Sequence, residues 1–188
     1  MQQTSDALAD LQRAIAQTGR IVAAVRLDQA ALPTPCEQWR VRDLVDHLIS
    51  GLAVFRRMAL GEPRGEFRGQ LSGDDWAAQY DAHSAKLLDA WRELERSGRP
   101  PTETLLGLTT MDVVIHGWDL AQATGQRPEF DEPLGAHVLS FAQGFVRPEG
   151  RAETREKVGG SVPLGPAIPV PDDSPVYTRL AAFLGRPV

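Results

Sequence analysis

An all-α bundle is the fold class this chain predicts, and three observations point to it. Four long stretches carry apolar residues at spacings of three, four and seven, the signature of one buried helical stripe. Proline and glycine clusters punctuate the gaps between them. No segment calls for a sheet larger than a stray strand or two. The expected architecture is a four-helix bundle with an additional helix, then a short C-terminal strap and a final helix. Residues 1–146 would form the bundle and 147–188 an extension packing on it.

The first helix is expected over residues 5–26, where Leu8, Leu11, Ile15, Val22 and Val25 share a stripe. Leu32-Pro33-Thr34-Pro35 then breaks the helix, because each proline removes a donor and restrains its predecessor. A second helix over 41–60 has Leu44, Val45, Leu48, Ile49, Leu52 and Phe55 as its core, with His47 at the edge of that arc. The third is expected over 73–97, with Ser72 as N-cap and Asp74 and Asp75 in its first turn. Its stripe is Trp76, Tyr80, Leu87, Trp91 and Leu94, with His83 on the same side. The fourth begins somewhere between Thr102 and Thr110 and stops at Gly125, since glycine takes the left-handed conformation without steric cost. A fifth over 133–145 shows Leu134, Val138, Phe141 and Phe145 on one face, with His137 beside it and exposed. Beyond Arg147 the chain reads as an extended strap with Pro163, Pro166, Pro169 and Pro171. A last helix starts with Ser174 as N-cap and Pro175 at its first position, and Gly185 stops it.

Composition narrows the function. With 188 residues, the chain can build one substantial core. A net charge of -5 argues against a nucleic-acid partner, which would select a basic surface. No stretch reaches the roughly 20 apolar residues that span a bilayer, so no membrane partner is expected. The single Cys36 excludes an intramolecular disulfide framework and suits a reducing compartment, and the N-terminus lacks the pattern of a signal peptide. The expected location is cytoplasmic, as a monomer or homodimer.

The informative feature is Asp112 and His116, four residues apart in the apolar fourth helix. That spacing puts carboxylate and imidazole on one face, one above the other, on a stripe shared with Leu105, Leu120 and Ala123. Buried ionisable groups are costly unless they pair, bind metal or do chemistry. Together with His47 they make a minimal divalent-metal site whose donors suit zinc, and equally nickel or non-haem iron. Three protein ligands leave a position open for substrate. Asp119, three residues past His116, is the candidate for orienting a ligand or handling a proton, whereas Trp118 points away as core packing. Cys36 precedes the second helix, where the dipole can lower a thiol pKa; with no partner visible in the sequence, it reads as a small buried residue. The metal reading requires the imidazoles to converge; a separation beyond ~7 Å would end it, since each ligand bond is about 2 Å.

Three separated motifs carry a resemblance. Leu32-Pro33-Thr34-Pro35-Cys36-Glu37-Gln38-Trp39 with Val41-Arg42-Asp43-Leu44-Val45-Asp46-His47-Leu48 resembles the opening of the DinB-like superfamily, in the branch of mycothiol-dependent maleylpyruvate isomerases. The segment from Asp112 to Ala121 with Thr124-Gly125, and the ending from Ile168 to Arg186, are similar to the same branch. The resemblance implies a DinB-like four-helix bundle with a divalent metal, commonly zinc, on His47, Asp112 and His116. Two departures accompany it. The isomerases carry glutamate at the position of Asp112, and they have a fuller C-terminal domain than this strap and helix. Arg40 also stands where relatives place a Ser or Thr cap.

The function implied is a thiol-dependent, mycothiol-type S-transferase or isomerase acting on a small electrophile. A hydrolase using metal-bound hydroxide and a non-catalytic metal-binding protein are the alternatives.

Overall fold

The computed structural model describes residues 2–36, 39–146 and 165–188. Among these residues the protein is all-helical, with no strand. The helices are α1 (Gln2–Ala23), α2 (Val41–Leu60), α3 (Trp76–Arg96), α4 (Glu103–Thr124), α5 (Glu132–Phe145) and α6 (Val176–Phe183). In the bundle, α4 packs on α1 and α2, and α3 packs on α2 and α1, so the four close into a ring; α5 and α6 lie against the outer side of α4 and against each other. This is the helical bundle that the periodicity predicts.

α4 is buried more completely than its stripe suggests. Flanked by α1, α2, α5 and α6, it has every residue buried over 109–121. The reason is positional: a central helix has no solvent face, so one stripe is too narrow a description. Asp112, His116 and Asp119 are buried because of where α4 lies in the bundle.

Several boundaries differ from expectation. α1 ends at Ala23, where Ala24 and Val25 donate to Ile21 and Val22 at 3.2 and 3.1 Å, and a 3-10 turn at Leu27–Gln29 follows. α3 begins at Trp76 because Gly73, with φ of 60°, cannot lie within a helical turn. Its cap is Asp75, which accepts from the Ala78 N–H at 3.1 Å, whereas Ser72 bonds to Gln79. α4 starts at Glu103 with Thr102 as cap, accepting from Leu105 at 3.2 Å. α6 begins one residue late, because Pro175 has an extended ψ of 141° and serves as cap. Most of the proline strap, residues 147–164, lies outside the described residues.

α2 runs from Val41 to Leu60 as expected. Its first turn lacks a Ser or Thr cap at Arg40, but Asp43 accepts from the Arg40 N–H at 2.9 Å. His47, expected at the edge of the apolar arc, is fully buried. His83 is half-buried, and His137 is exposed, 3.0 Å from Asp10.

Candidate metal centre

The site forms where α2 and α4 face one another beneath two loops. The turn after Pro33 is stapled by Thr34. Its hydroxyl donates to the Trp39 carbonyl at 2.9 Å and accepts from the Cys36 N–H at 3.1 Å. This turn delivers the Cys36 thiol and the Trp39 ring to the buried α2–α4 interface. On the other side Asp46 binds the loop before α3, accepting from the N–H groups of Gly69, Gln70 and Leu71 at 2.8, 3.1 and 2.9 Å. That anchor sets Phe67 against His47, with ring centres 5.6 Å apart. Trp39 lies on the neighbouring side, 4.6 Å from the His47 ring and 5.5 Å from His116.

Inside this aromatic cover the structure brings His47, Asp112 and His116 together. Their donor atoms all lie within 4.8 Å of one another, and the imidazole centres are 4.6 Å apart. His47 Nε2 stands 3.3 Å, and His116 Nε2 3.7 Å, from the same Asp112 oxygen, Oδ1. Ligands on one tetrahedral ion, at bonds of about 2.0–2.1 Å, stand roughly 3.4 Å from each other. Asp112 is 4% exposed and both histidines are fully buried. Burial works against the Asp112 carboxylate, but the His47 ring beside it outweighs that and holds its pKa below the usual carboxylate value.

Asp119 joins the site through His116. His116 Nδ1 lies 3.0 Å from Asp119 Oδ2. Burial would raise the Asp119 pKa, yet Arg186 and His116 hold it at about 2, so the carboxylate is ionised and can only accept. His116 Nδ1 therefore carries the proton. Burial pushes the His116 pKa down, so the ring is neutral and Nε2 presents a bare lone pair. Among the described residues that nitrogen has no hydrogen-bond partner. A buried acceptor left unmatched costs about 1–3 kcal/mol, and a divalent cation between Nε2, Asp112 and His47 would satisfy it. The donor set fits such an ion.

Two participants were not legible in the sequence. Cys36 donates its S–H to Asp119 Oδ2 at 3.1 Å and lies 3.9 Å from His116 Nδ1. Burial, and then the Asp119 charge, push the thiol pKa up, opposite to the helix-dipole effect, so Cys36 stays protonated and serves as a hydrogen-bond donor. Arg186, near the C-terminus, donates from Nε to Asp119 Oδ1 at 3.3 Å and from Nη2 to Oδ2 at 3.2 Å. It lies 67 residues from its partner, beyond the reach of local spacing rules. Trp118, expected as core packing, is buried, with 6% of its surface exposed.

Comparison with known proteins agrees with the bundle fold. Residues 11–121 match the family profile described as the mycothiol maleylpyruvate isomerase N-terminal domain. That span includes His47, Asp112, His116 and Asp119 and excludes Arg186. Two proteins of Mycobacterium tuberculosis are similar over 97% of this chain and 99% of their own length, each at 35% identity. They are the uncharacterized protein MT0763 of strain CDC 1551 / Oshkosh and the uncharacterized protein Rv0738 of strain H37Rv. No solved structure matches. On the length of the profile match and the bundle it falls on, the chain belongs to the family of the mycothiol maleylpyruvate isomerase N-terminal domain.

Proposed function

We propose that this protein holds a divalent metal, zinc by preference, on His47, Asp112 and His116, and uses it as a thiol-dependent S-transferase or isomerase. The observation that carries the reading is the unmatched, fully buried Nε2 of His116, facing an ionised carboxylate and a second imidazole. Nickel or iron suits the same donors. The metal, when bound, supplies positive charge that keeps a low-molecular-weight thiol in its nucleophilic thiolate form at neutral pH.

The chain's own residues do the rest. Asp119 fixes the His116 tautomer, the usual service of a carboxylate behind a ligating imidazole. Trp39 and Phe67 flank His47 and keep bulk water from the donors. By family analogy the thiol is mycothiol and its target a small electrophile. Net transfer joins the thiol sulfur to the electrophilic carbon as that carbon's leaving group departs with its bonding pair, the thiol proton being released to solvent. Isomerisation adds the thiol across a double bond, allows rotation and expels it again. A reducing cytoplasm suits such a cofactor and the lone cysteine.

A second reading, a non-catalytic metal that braces the bundle, draws support from the burial of all three ligands. The same purified protein separates the two. About one equivalent of metal is expected in the wild type, lost in His116→Ala; metal-free wild type, or undiminished metal in the variant, would overturn the metal reading. Adding mycothiol or a simple thiol to cobalt-loaded protein should shift its visible spectrum. An unshifted spectrum, with stability lost on metal removal, would favour the bracing role.

A further inference from the structure

Asp119 is held from the far end of the chain. α6 ends at Phe183, and its last turn is tied by Leu184 and Arg186 N–H groups donating to Leu180 and Ala181 at 3.0 and 2.9 Å. Gly185 turns the backbone with φ of 83°. A Cβ built on it would come within 2.5 Å of the Gly165 backbone, so only glycine lets these two segments cross. The crossing sends the Arg186 side chain inward, where it is 1% exposed. Its Nη1 donates to the Leu184 carbonyl at 3.1 Å, while Nε and Nη2 reach the two oxygens of Asp119. The fork fixes both oxygens at once, which a point donor cannot do.

We propose that Arg186 is a positioning residue for the metal centre: its guanidinium sets the plane of Asp119, and through it keeps His116 in the Nδ1–H tautomer with Nε2 aimed at Asp112 and His47. The inference rests on the metal reading given above but concerns a residue outside the family span. With the fork removed, Asp119 loses the restraint on Oδ1 and can turn about its Cβ–Cγ bond, which carries Oδ2 out of line with Cys36 and His116. The His116 ring then loses its fixed orientation, and Nε2 no longer presents one lone pair to the centre. The C-terminal segment thereby becomes part of the site.

The test uses the full chain, with folding followed by far-UV circular dichroism. In metal-free wild type, nitrogen-15 NMR of the histidine side chains should show His116 in the Nδ1–H form. In Arg186→Gln that uniformity should be lost, and cobalt(II) affinity, read from the visible absorption, should fall about 10–100-fold, the range for removing support behind a metal ligand. Arg186→Lys keeps the charge but not the fork, and should show a smaller loss of both; it decides the matter if Arg186→Gln does not fold. Folded variants with wild-type tautomer and wild-type cobalt affinity would overturn the proposal. Should wild type bind no cobalt, the metal reading falls while the tautomer measurement still decides the role of Arg186.

Discussion

Asp119 receives a thiol, an imidazole N–H and a guanidinium fork in a space without solvent. Its value to the protein is both structural and chemical, and Asp119→Asn separates the two. Removing one partner of a buried ion pair leaves the other uncompensated, at a cost of about 3–5 kcal/mol. Urea unfolding of the metal-free variant should therefore show a stability loss of that order, and a loss under about 1 kcal/mol, the worth of an exposed pair, would contradict the buried geometry. Asp112 behaves differently. Its near neighbours are the two imidazoles, so Asp112→Asn should chiefly weaken metal binding, measured by competition with a chromophoric chelator. The shorter arm of aspartate, where the resemblance implies glutamate, reaches its partners because α2 and α4 pack closely: a Cβ added at Gly51 would stand 3.3 Å from Asp112 Oδ2.

At the level of the helices, α4 depends on two glycines with different tolerance. A Cβ at Gly117 would meet the Thr18 hydroxyl at 2.4 Å and its Cβ and Cγ2 at 3.2 Å. Thr18 is fully buried and donates to the Val113 carbonyl at 3.0 Å, so it cannot move without shifting α1. Gly117→Ala should destabilise by about 1–3 kcal/mol, the usual cost of overpacking, despite the helix propensity it gains. A Cβ at Gly107 would meet the Phe141 ring at 2.3 Å. That ring is only half-buried and can swing outward, so Gly107→Ala should lie within about 1 kcal/mol of wild type, the propensity gain offsetting the displaced ring. Thermal melts of the two variants check the contrast; equal losses would show that α5 is as rigidly docked as α1.

For the whole molecule, the proposed metal would tie α2 to α4, because His47 lies on α2 while Asp112 and His116 lie on α4. An ion that binds the folded chain and not the unfolded one adds about 2.7 kcal/mol at a free concentration 100 times Kd. For a chain of this size that is a rise of roughly 5–10 °C in Tm. Stripping the metal with a chelator should lower Tm by that amount while leaving the helical signal intact at 25 °C, since the core around α4 does not depend on the ion. A chain that unfolds outright on chelation would instead mark the metal as an obligatory staple. Among the described residues no helix is long and apolar enough to cross a membrane.

The helical periods, the proline and glycine breaks and the pairing of Asp112 with His116 are local properties, written within a few turns of chain, and they were readable without coordinates. So was the candidacy of His47, through its place in a motif. Cap positions were less legible: at Gly73 and Pro175 a backbone angle, not the nearby serine, decides where the helix starts. The burial of α4 on every side, the aromatic cover made by Trp39 and Phe67, and the meeting of Cys36, Asp119 and Arg186 were decided by tertiary structure alone. The contacts among Cys36, Asp119 and Arg186 join residues 67 to 150 positions apart, and no periodicity encodes which distant side chain a folded bundle will place beside a carboxylate.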